Sequence, residues 1–261
     1  MWCQERKSST VLKNVTLGLL MRELKTRFGN YRMGYTWALL DPLITIALFC
    51  VIFGIRQRNG FGGVEAPVFI ASGYLPFLMF LNTTKRLISA VSANIGLFCY
   101  RQVTAFATLF SRFILESIIG ILVAIVLILI LVWFGFDAIP DDPLAVILGY
   151  GTLMIFSFGL GTLFCVLANI SAEANKFIPI LMRPLLWISA VFFPIAAVPQ
   201  NYQHLLLWNP ILHALELIRG GWIAGFQTHG GCWKYLLGTT LILLALAMSA
   251  YRLSHRRLIA S

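Results

Sequence analysis

The chain has 261 residues, of which 59% are hydrophobic and only 11% are charged, and its mean hydropathy is +0.84. A soluble domain carries about 25% charged residues, so this composition argues against a soluble enzyme and against an intrinsically disordered chain. The formal net charge of +10 would suggest nucleic-acid binding in a soluble protein, but in a membrane protein such an excess sets the orientation.

Six apolar segments are long enough to cross a bilayer core, which takes about 20 helical residues. They are 33–55, 66–84, 117–134, 144–170, 177–198 and 235–251. We therefore predict an all-α polytopic membrane protein with a single domain over 1–261, in which 33–251 is a region of six transmembrane helices. Residues 1–32 are expected to form a cytoplasmic tail with an interfacial helix, and 252–261 a second cytoplasmic tail. The first residues lack the apolar run and cleavage site of a signal peptide, so none is expected.

The Lys and Arg residues outside these spans predict the orientation. An even number of spans places both termini on one side, and that side carries fifteen Lys and Arg residues against four on the other. Because cytoplasmic loops carry the excess of basic residues, both termini are predicted to be cytoplasmic. Orientation and contact with anionic headgroups explain the basic excess, and nucleic-acid binding is not expected.

The residues before the first span predict a basic amphipathic helix. Its apolar residues recur at steps of three and four: Leu17, Leu20, Met21, Leu24, Phe28 and Tyr31. This spacing is typical of one helical face, and a helix of this kind lies in the membrane interface. It is either an anchor that fixes the first span or a gate at which Lys25, Arg27 and Arg32 meet anionic headgroups.

The cytoplasmic stretch 92–103 is too polar and too short to cross the membrane, yet it contains Leu97, Phe98 and Tyr100. Apolar side chains on the water side of a loop usually mark a surface for a partner. The alternative is that these side chains lie against lipid headgroups or against the chain's own helices.

The stretch 199–226 on the opposite face is moderately apolar, but a further crossing there would break the parity of the spans. Pro210 and the Gly220-Gly221 pair are expected to divide it into two short helices of a re-entrant excursion. Its polar residues at steps of three are His213, Glu216 and Arg219. They are either functional or a mutually neutralising cluster that allows a polar helix to dip into the membrane.

The chain lacks the chemistry that would let it drive transport by itself. The sequence contains no G-x-x-x-x-G-K-[ST] motif, so no phosphate-binding loop is expected. The predicted spans hold almost no carboxylates near mid-membrane, which disfavours proton or sodium coupling. The five cysteines include no C-x-x-C pair, so no metal site is expected. A separate ATPase pressed against the loop at Phe98 and Tyr100 fits these observations better.

Four ordered motifs resemble the polysaccharide-export permeases of the ABC-2 type. They are Arg22-Glu23-Leu24-Lys25-Thr26-Arg27-Phe28-Gly29, continuing through Arg32, Gly34-Tyr35 and Trp37 to Asp41-Pro42; Gly73-Tyr74-Leu75-Pro76-Phe77; Gly96-Leu97-Phe98-Cys99-Tyr100-Arg101; and Leu207-Trp208-Asn209-Pro210-Ile211-Leu212-His213 with Glu216 and Arg219. Each motif alone is weak, but the ordered set over 22–219 is specific.

The resemblance implies a subunit that forms a homodimer on two copies of a separate nucleotide-binding subunit, which binds ATP and magnesium. It implies that a lipid-linked capsular polysaccharide crosses the bacterial inner membrane from the cytoplasm to the periplasm, with periplasmic and outer-membrane export components as further partners. The chain itself is then a transport subunit, not an enzyme, and has no cofactor of its own.

The resemblance also implies roles for individual residues. The gate helix and the entrance for lipid or substrate would be formed by Arg22, Lys25, Arg27, Phe28, Arg32 and Trp37. The ATPase contacts would be formed by a coupling segment with Gly96, Leu97, Phe98, Tyr100 and Arg101, and by Glu173, Asn175 and Lys176. The periplasmic cap would be formed by Trp208, Asn209, Pro210, His213, Glu216 and Arg219.

Aromatic rings on the predicted second and fifth spans suit a sugar chain, because rings can slide along its flat apolar faces without a deep binding well. The channel candidates are Tyr74, Phe77, Phe80, Arg183, Trp187, Phe192 and Phe193. Each ring has an alternative role as a lipid-facing or interface residue. Arg183 differs, because a charge within a span usually faces a cavity, where it would meet an anionic sugar or phospholipid group.

Two other functions stay open. Proteins with these motifs also export O-antigen, teichoic acid or other amphipathic lipids. A different class is a membrane-embedded transferase that uses His204, His213 and Glu216 on the outer face. Such an enzyme would work without a nucleotide-binding partner, whereas the exporter would not.

Single cysteines, placed in a chain whose native cysteines are replaced, test the predicted orientation. Cysteines at Asp141 and Gln227 should react with a membrane-impermeant thiol reagent from the periplasm, and cysteines at Asn14 and Ser254 should not, because the basic residues hold both termini inside. Labelling of intact and lysed cells measures this. Reaction at Asn14 in intact cells would contradict the six-span arrangement.

Overall fold

The computed structural model of the chain describes residues 8–28, 34–56, 64–100 and 102–260. Within these ranges the α-helices are α1 (Ser8–Phe28), α2 (Gly34–Arg56), α3 (Ala66–Ile88), α4 (Ala105–Trp133), α5 (Pro143–Ile170), α6 (Ala172–Met182), α7 (Leu185–Ile188), α8 (Gln200–Leu206), α9 (Pro210–Trp222) and α10 (Trp233–Ala260). Short 3-10 helices cover Ser92–Leu97 and Ile195–Ala197. The predicted all-α class is therefore confirmed for the described part of the chain.

Among the described residues, four helices are long and apolar enough to cross a membrane, namely α3, α4, α5 and α10. In α2 the apolar stretch is shorter and covers Leu39–Ile52. These five helices coincide with the predicted spans one to four and six. The count of six spans stays a prediction.

The segment 177–198 is not the continuous helix that the sequence predicted. α6 ends at Met182, α7 has four residues, and turns lead on to the second 3-10 helix. Pro184 explains the break between α6 and α7, because it has no N–H to donate to the carbonyl of Ile180. The N–H of Arg183 donates to that carbonyl instead, at 3.3 Å.

α4 begins well before the predicted start of the third span. The hydroxyl of Thr104 accepts a hydrogen bond from the N–H of Ala107 at 3.1 Å, a capping contact that starts a helix. The 29 residues of α4 measure about 43 Å at the helical rise per residue. A bilayer core is only about 30 Å thick, so the first turns of α4, with Arg112 and Glu116, have room to extend beyond the apolar layer.

α5 lies at the centre of the helices and packs against α3, α9 and α10. The main core around it includes Phe69, Phe77, Phe80, Leu153 and Leu215. A second core includes Leu87, Val91, Leu109, Cys165 and Tyr251. We call the two ends of this arrangement the α1 end, where α3 ends and α4 begins, and the α9 end, where α3 begins and α4 ends.

The stretch 199–226 contains α8 and α9, in agreement with the predicted pair of short helices. Asn209 starts α9, because its side chain accepts a hydrogen bond from the backbone of the first turn and Pro210 follows at a position where its missing N–H costs nothing. α9 continues through the Gly220-Gly221 pair to Trp222. The prediction that this glycine pair divides the stretch is therefore wrong.

Arg219 on α9 is a fully buried charge, with 0% of its side chain exposed. It donates one hydrogen bond to the carbonyl of Ala190 at 2.9 Å and another to the carbonyl of Val191, both in the turn after α7. Its guanidinium lies 4.2 Å from the centre of the Phe69 ring on α3. The carboxylate of Glu216 is 3.8 Å away, beyond hydrogen-bond distance. Arg219 thus holds α9, α3 and the turn after α7 together.

The backbone around Arg219 is adapted to this contact. Ala190 has a φ of 52°, a left-handed conformation that is uncommon for a residue with a side chain. At Gly73 of α3, a Cβ atom would lie 2.6 Å from the carbonyl oxygen of Val191 and would overlap the guanidinium. The glycine of the Gly73–Phe77 motif therefore leaves the space that Arg219 occupies.

Arg219→Met should lower the free energy of unfolding by about 3–5 kcal/mol, because it leaves two carbonyls and a buried Glu216 without their cation. Glu216→Gln should lower the free energy of unfolding by less, since Arg219 keeps its hydrogen bonds to both carbonyls. Thermal unfolding of the two purified variants in detergent measures the difference. A larger loss for Glu216→Gln would show that the ion pair, and not the carbonyl bonds, holds this end.

Candidate functional site

The predicted coupling segment lies at the α1 end, in and after the first 3-10 helix. Tyr100 is 66% exposed, and Gly96 is exposed with open space beside it. Leu97 and Phe98 are half-buried, and Phe98 packs against the second core. Arg101 lies outside the described residues. The apolar surface offered by this segment is thus centred on Tyr100, while Phe98 fixes the segment to the subunit.

α1 packs against α4 and also contacts the 3-10 helix. Arg22 donates to the side-chain oxygen of Asn94 at 2.8 Å. The amide nitrogen of Asn94 donates to Glu23 at 3.3 Å and to the carbonyl of Ala90 at 2.8 Å. One buried amide side chain therefore joins the predicted gate helix to the predicted coupling segment.

Arg112 of α4 completes this contact. Its Nε donates to Glu23 Oε1 at 2.8 Å, and a terminal nitrogen lies 2.8 Å from the same oxygen. The other terminal nitrogen donates to the carbonyl of Arg86 at 2.9 Å and to the hydroxyl of Ser89 at 3.1 Å. Every guanidinium nitrogen is therefore engaged. We call the set the polar cluster, which consists of Arg22, Glu23, Asn94 and Arg112.

Asn94 and Arg112 were not predicted as functional residues. In the sequence Arg112 is one of many cytoplasmic basic residues, and Asn94 lies in a loop without a motif of its own. The signal that indicates them is Glu23, which is the only acidic residue between positions 15 and 40. A lone carboxylate in a basic helix predicts a basic partner, since a partly buried charge needs a counter-ion.

One cavity lies beside the polar cluster, and a second adjoins the first at Glu116. The first, of about 280 Å³, is lined by residues that include Arg22, Thr26, Arg86, Arg112 and Glu116. The second, of about 340 Å³, between α2, α3 and α4, is lined by residues that include Trp37, Asp41, Asn82 and Glu116. Glu116 lines both cavities, so the polar cluster and the first turns of α2 face neighbouring spaces.

The predicted gate residues are only partly described. Arg22 belongs to the polar cluster, and Lys25 is exposed. Trp37 in the first turn of α2 is 69% exposed, beside the second of the two cavities. The side chains of Arg27 and Phe28, and all of Arg32, lie outside the described part of the chain.

The second predicted ATPase contact lies on the first turn of α6. Glu173, Asn175 and Lys176 are exposed, and Asn175 donates to the carbonyl of Ala168 at 3.1 Å. This bond ties α6 to the end of α5, whose Cys165 belongs to the second core. Both predicted ATPase contacts therefore lie at the α1 end.

The predicted channel residues separate into a buried and an exposed set. The buried side chains are Tyr74, Phe77, Phe80 and Phe192. They pack within the subunit, as when Phe192 stacks on Phe49 of α2 with 3.6 Å between ring centroids. Phe193 is half-buried, and Arg183 and Trp187 are exposed. The exposed members of the set are thus the two residues on and beside α7.

The predicted cap residue His213 is buried and bonded at both ring nitrogens. Its Nδ1 accepts from the backbone N–H of Cys232 at 3.2 Å, so the proton lies on Nε2, which donates to the carbonyl of Leu207 at 2.8 Å. Neither nitrogen is available as a general base, which weakens the transferase alternative. Trp208, by contrast, is 78% exposed.

Comparisons of the sequence with known proteins identify the family. Residues 15–223 match the family described as ABC-2 type transporter. The chain is 35% identical to the polysialic acid transport protein KpsM of Escherichia coli over 257 residues. This aligned region covers 98% of this chain and 99% of that protein. It is 28% identical over 246 residues to the capsule polysaccharide export inner-membrane protein CtrC of Neisseria meningitidis serogroup A, covering 94% and 93%. The inner-membrane protein BexB of Haemophilus influenzae is 28% identical over 243 residues, covering 93% and 92%.

The matched range contains the polar cluster, the coupling segment and α9. The resemblance that the sequence motifs predicted is therefore confirmed over most of the chain. This protein belongs to the ABC-2 type transporter family.

Proposed function

We propose that this chain is the transmembrane subunit of an ATP-driven exporter that moves a lipid-linked capsular polysaccharide from the cytoplasm to the periplasm. The nearly full-length similarity to proteins named for polysialic acid transport and capsule polysaccharide export carries the proposal. The long apolar helices support a place in the bacterial inner membrane. The proposed complex has two copies of this chain, two of a separate ATPase, and export components in the periplasm and outer membrane.

Six crossings belong to this proposal. Five are α2, α3, α4, α5 and α10, and the other is the broken unit of α6, α7 and the turn at Ala190. A broken helix is tolerated in a membrane where protein or a water-filled cavity covers it, and Arg219 provides such cover for the turn. With both termini in the cytoplasm, the α1 end faces the ATPase, and α8 and α9 form an outer cap.

The energy for transport is proposed to come from the partner ATPase, which binds ATP and magnesium. Its main contact on this chain is Tyr100 with Ile95, which are 66% and 41% exposed on the coupling segment. The exposed first turn of α6 is the second contact. Because Phe98 joins the segment to the second core, force applied at Tyr100 reaches the ends of α3, α4 and α5.

Tyr100→Ala should weaken ATPase binding by about thirtyfold, since truncation of an interface aromatic often costs about 2 kcal/mol. Phe98→Ala should also weaken binding, because the segment loses its support. Glu173→Ala should have a smaller effect, as an exposed ion pair contributes about 1 kcal/mol at most. The measurement is the affinity of the purified ATPase for each variant in lipid nanodiscs.

Tyr202→Ala is the matched control for this experiment. Tyr202 has the same ring and is 61% exposed, but it lies on α8 at the opposite end of the subunit. Its variant should bind the ATPase as the wild type does. Normal binding by the Tyr100→Ala, Phe98→Ala double variant would contradict the assigned surface.

Export itself is tested in a capsule-forming host that lacks this chain. Lipid-linked polysaccharide should accumulate in the cytoplasm, and the wild-type chain should restore it at the cell surface. Arg183→Ala should restore less polysaccharide at the cell surface than the wild-type chain does, because the exposed guanidinium is the proposed contact for an anionic sugar or phosphate group. Arg183→Lys should restore more than the Ala variant. Glycan in the cytoplasm and at the surface is quantified in each strain.

Arg252→Ala, which removes another exposed arginine in the last third of α10, is the control and should export normally. Full restoration by Arg183→Ala would mean that this guanidinium does not contact the substrate. A host that lacks the chain and makes no glycan at all would contradict the exporter function and favour a transferase.

A further inference from the structure

The polar cluster joins two parts of the subunit that have separate roles in the proposed exporter. Glu23 lies on α1, the proposed gate helix, and Asn94 lies in the 3-10 helix that leads to Tyr100. Asn94 bonds to Glu23 directly, and Arg112 on α4 bonds to the same carboxylate. The gate helix is therefore connected to the ATPase contact through Asn94 and to α4 through Arg112.

A single carboxylate oxygen makes most of these contacts. Glu23 Oε1 accepts from Arg112 Nε at 2.8 Å and from the amide of Asn94 at 3.3 Å, and it lies 2.8 Å from a second nitrogen of Arg112. The side chains of Glu23 and Arg112 are only 19% and 10% exposed, so water screens their attraction weakly. Charge-assisted bonds of this type are among the stronger hydrogen bonds in proteins. α1 cannot leave α4 without removing the counter-ion of Arg112.

Asn94 carries the connection to the coupling segment. Its oxygen accepts from Arg22, and its nitrogen donates to Glu23 and to the carbonyl of Ala90. The residue is 2% exposed, so these groups, and not bulk water, satisfy its amide. A displacement of the 3-10 helix therefore acts on two successive residues of α1.

Arg112 holds the end of α3 with a different nitrogen. That nitrogen donates to the carbonyl of Arg86 and the hydroxyl of Ser89, while the other two face Glu23. Loss of the Glu23 charge thus weakens the contact of α1 with α4, leaves Arg22 alone to hold α1 at Asn94, and keeps the bonds between α3 and α4 in place. The contact to α1 is the separable part of the cluster.

We infer that Glu23, Asn94 and Arg112 form a latch that makes α1 and the coupling segment move as one body. Closure of the ATPase against Tyr100 then shifts α1 together with the segment and changes the cavity that Arg22, Glu23 and Thr26 line. The inference rests on the proposed function, because it needs an ATPase at Tyr100. Glu23 and Arg112 are positioning residues, which act through α1 and touch neither ATP nor polysaccharide.

Glu23→Gln is the primary variant, because glutamine keeps the length of the side chain and removes its charge. In proteoliposomes that contain the complete complex, this variant should keep the ATPase bound and hydrolysing ATP. Polysaccharide transported per ATP should fall by about tenfold, a typical size for coupling between two sites. Asp137→Asn, at an exposed carboxylate of the α9 end, is the matched control and should transport as the wild type does.

Exchange of the two charges is the second variant. Arg112→Glu alone should lose transport, and Glu23→Arg combined with Arg112→Glu should recover part of it, because the attraction between α1 and α4 is restored. The interaction term of this double-mutant cycle shows whether the two positions are coupled through their charges. A double variant that reaches the membrane and shows no recovery would overturn the latch.

Spin labels test the movement directly. With the native cysteines replaced, labels at Leu17 of α1 and Ser92 of the 3-10 helix occupy exposed positions. The distance between the two labels should be the same with and without ATP in the wild-type complex. In Glu23→Gln the distribution of this distance should become broader when ATP binds. A separation that changes with ATP in the wild type would show that the two elements move independently, and would overturn the latch.

The outcomes distinguish the latch from the function on which it rests. Wild-type transport per ATP in Glu23→Gln would overturn the latch and leave the exporter intact. Loss of ATPase binding in Glu23→Gln would also overturn it, because the latch acts after binding. A wild-type chain that binds no ATPase would overturn the proposed function.

Discussion

Each end of this subunit depends on an arginine that is withdrawn from water and paired by the protein. A charge outside water is costly unless hydrogen bonds and opposite charge compensate for the lost hydration. Arg219 is compensated by carbonyls of the turn after α7, and Arg112 by Glu23 and the Arg86 carbonyl. The partners come from elements far apart in the sequence. The charge therefore fixes the relative position of these helices, which apolar packing alone would not fix.

The two arginines differ in what accepts their hydrogen bonds. Arg219 is bound by backbone carbonyls, which have no rotamers, and its guanidinium also lies over the Phe69 ring. Arg112 is bound on one side by Glu23, a side chain on a helix that packs chiefly against α4. The first contact can change only if the turn after α7 changes, whereas the second can open by rotation of one carboxylate. A fixed α9 end and a separable α1 end agree with the ATPase contact that we propose at the α1 end.

The long helices could be predicted because their apolar runs match the lengths of the spans. The predicted starts of α2, α3, α5 and α10 lie within a few residues of the observed ones. α4 was predicted to start at Ser117 because hydropathy assigns Ser111 and Arg112 to a loop, yet both are buried and bonded in its first turns. The fifth segment was predicted as one helix because its composition is apolar. Hydropathy does not count the hydrogen bond that Pro184 removes.

The roles of side chains were harder to predict, because spacing shows which residues share a face but not what covers that face. Phe77 and Phe80 are three residues apart and share a helical face, and that face packs in the core. Phe98 and Tyr100 belong to one motif, yet one ring supports the segment and the other is exposed. An apolar side chain can lie in the core, face lipid or contact a partner protein. A polar side chain is more informative, since each buried polar atom needs a partner. Glu23, the only carboxylate between positions 15 and 40, therefore carries a signal for its contact that the sequence analysis did not use.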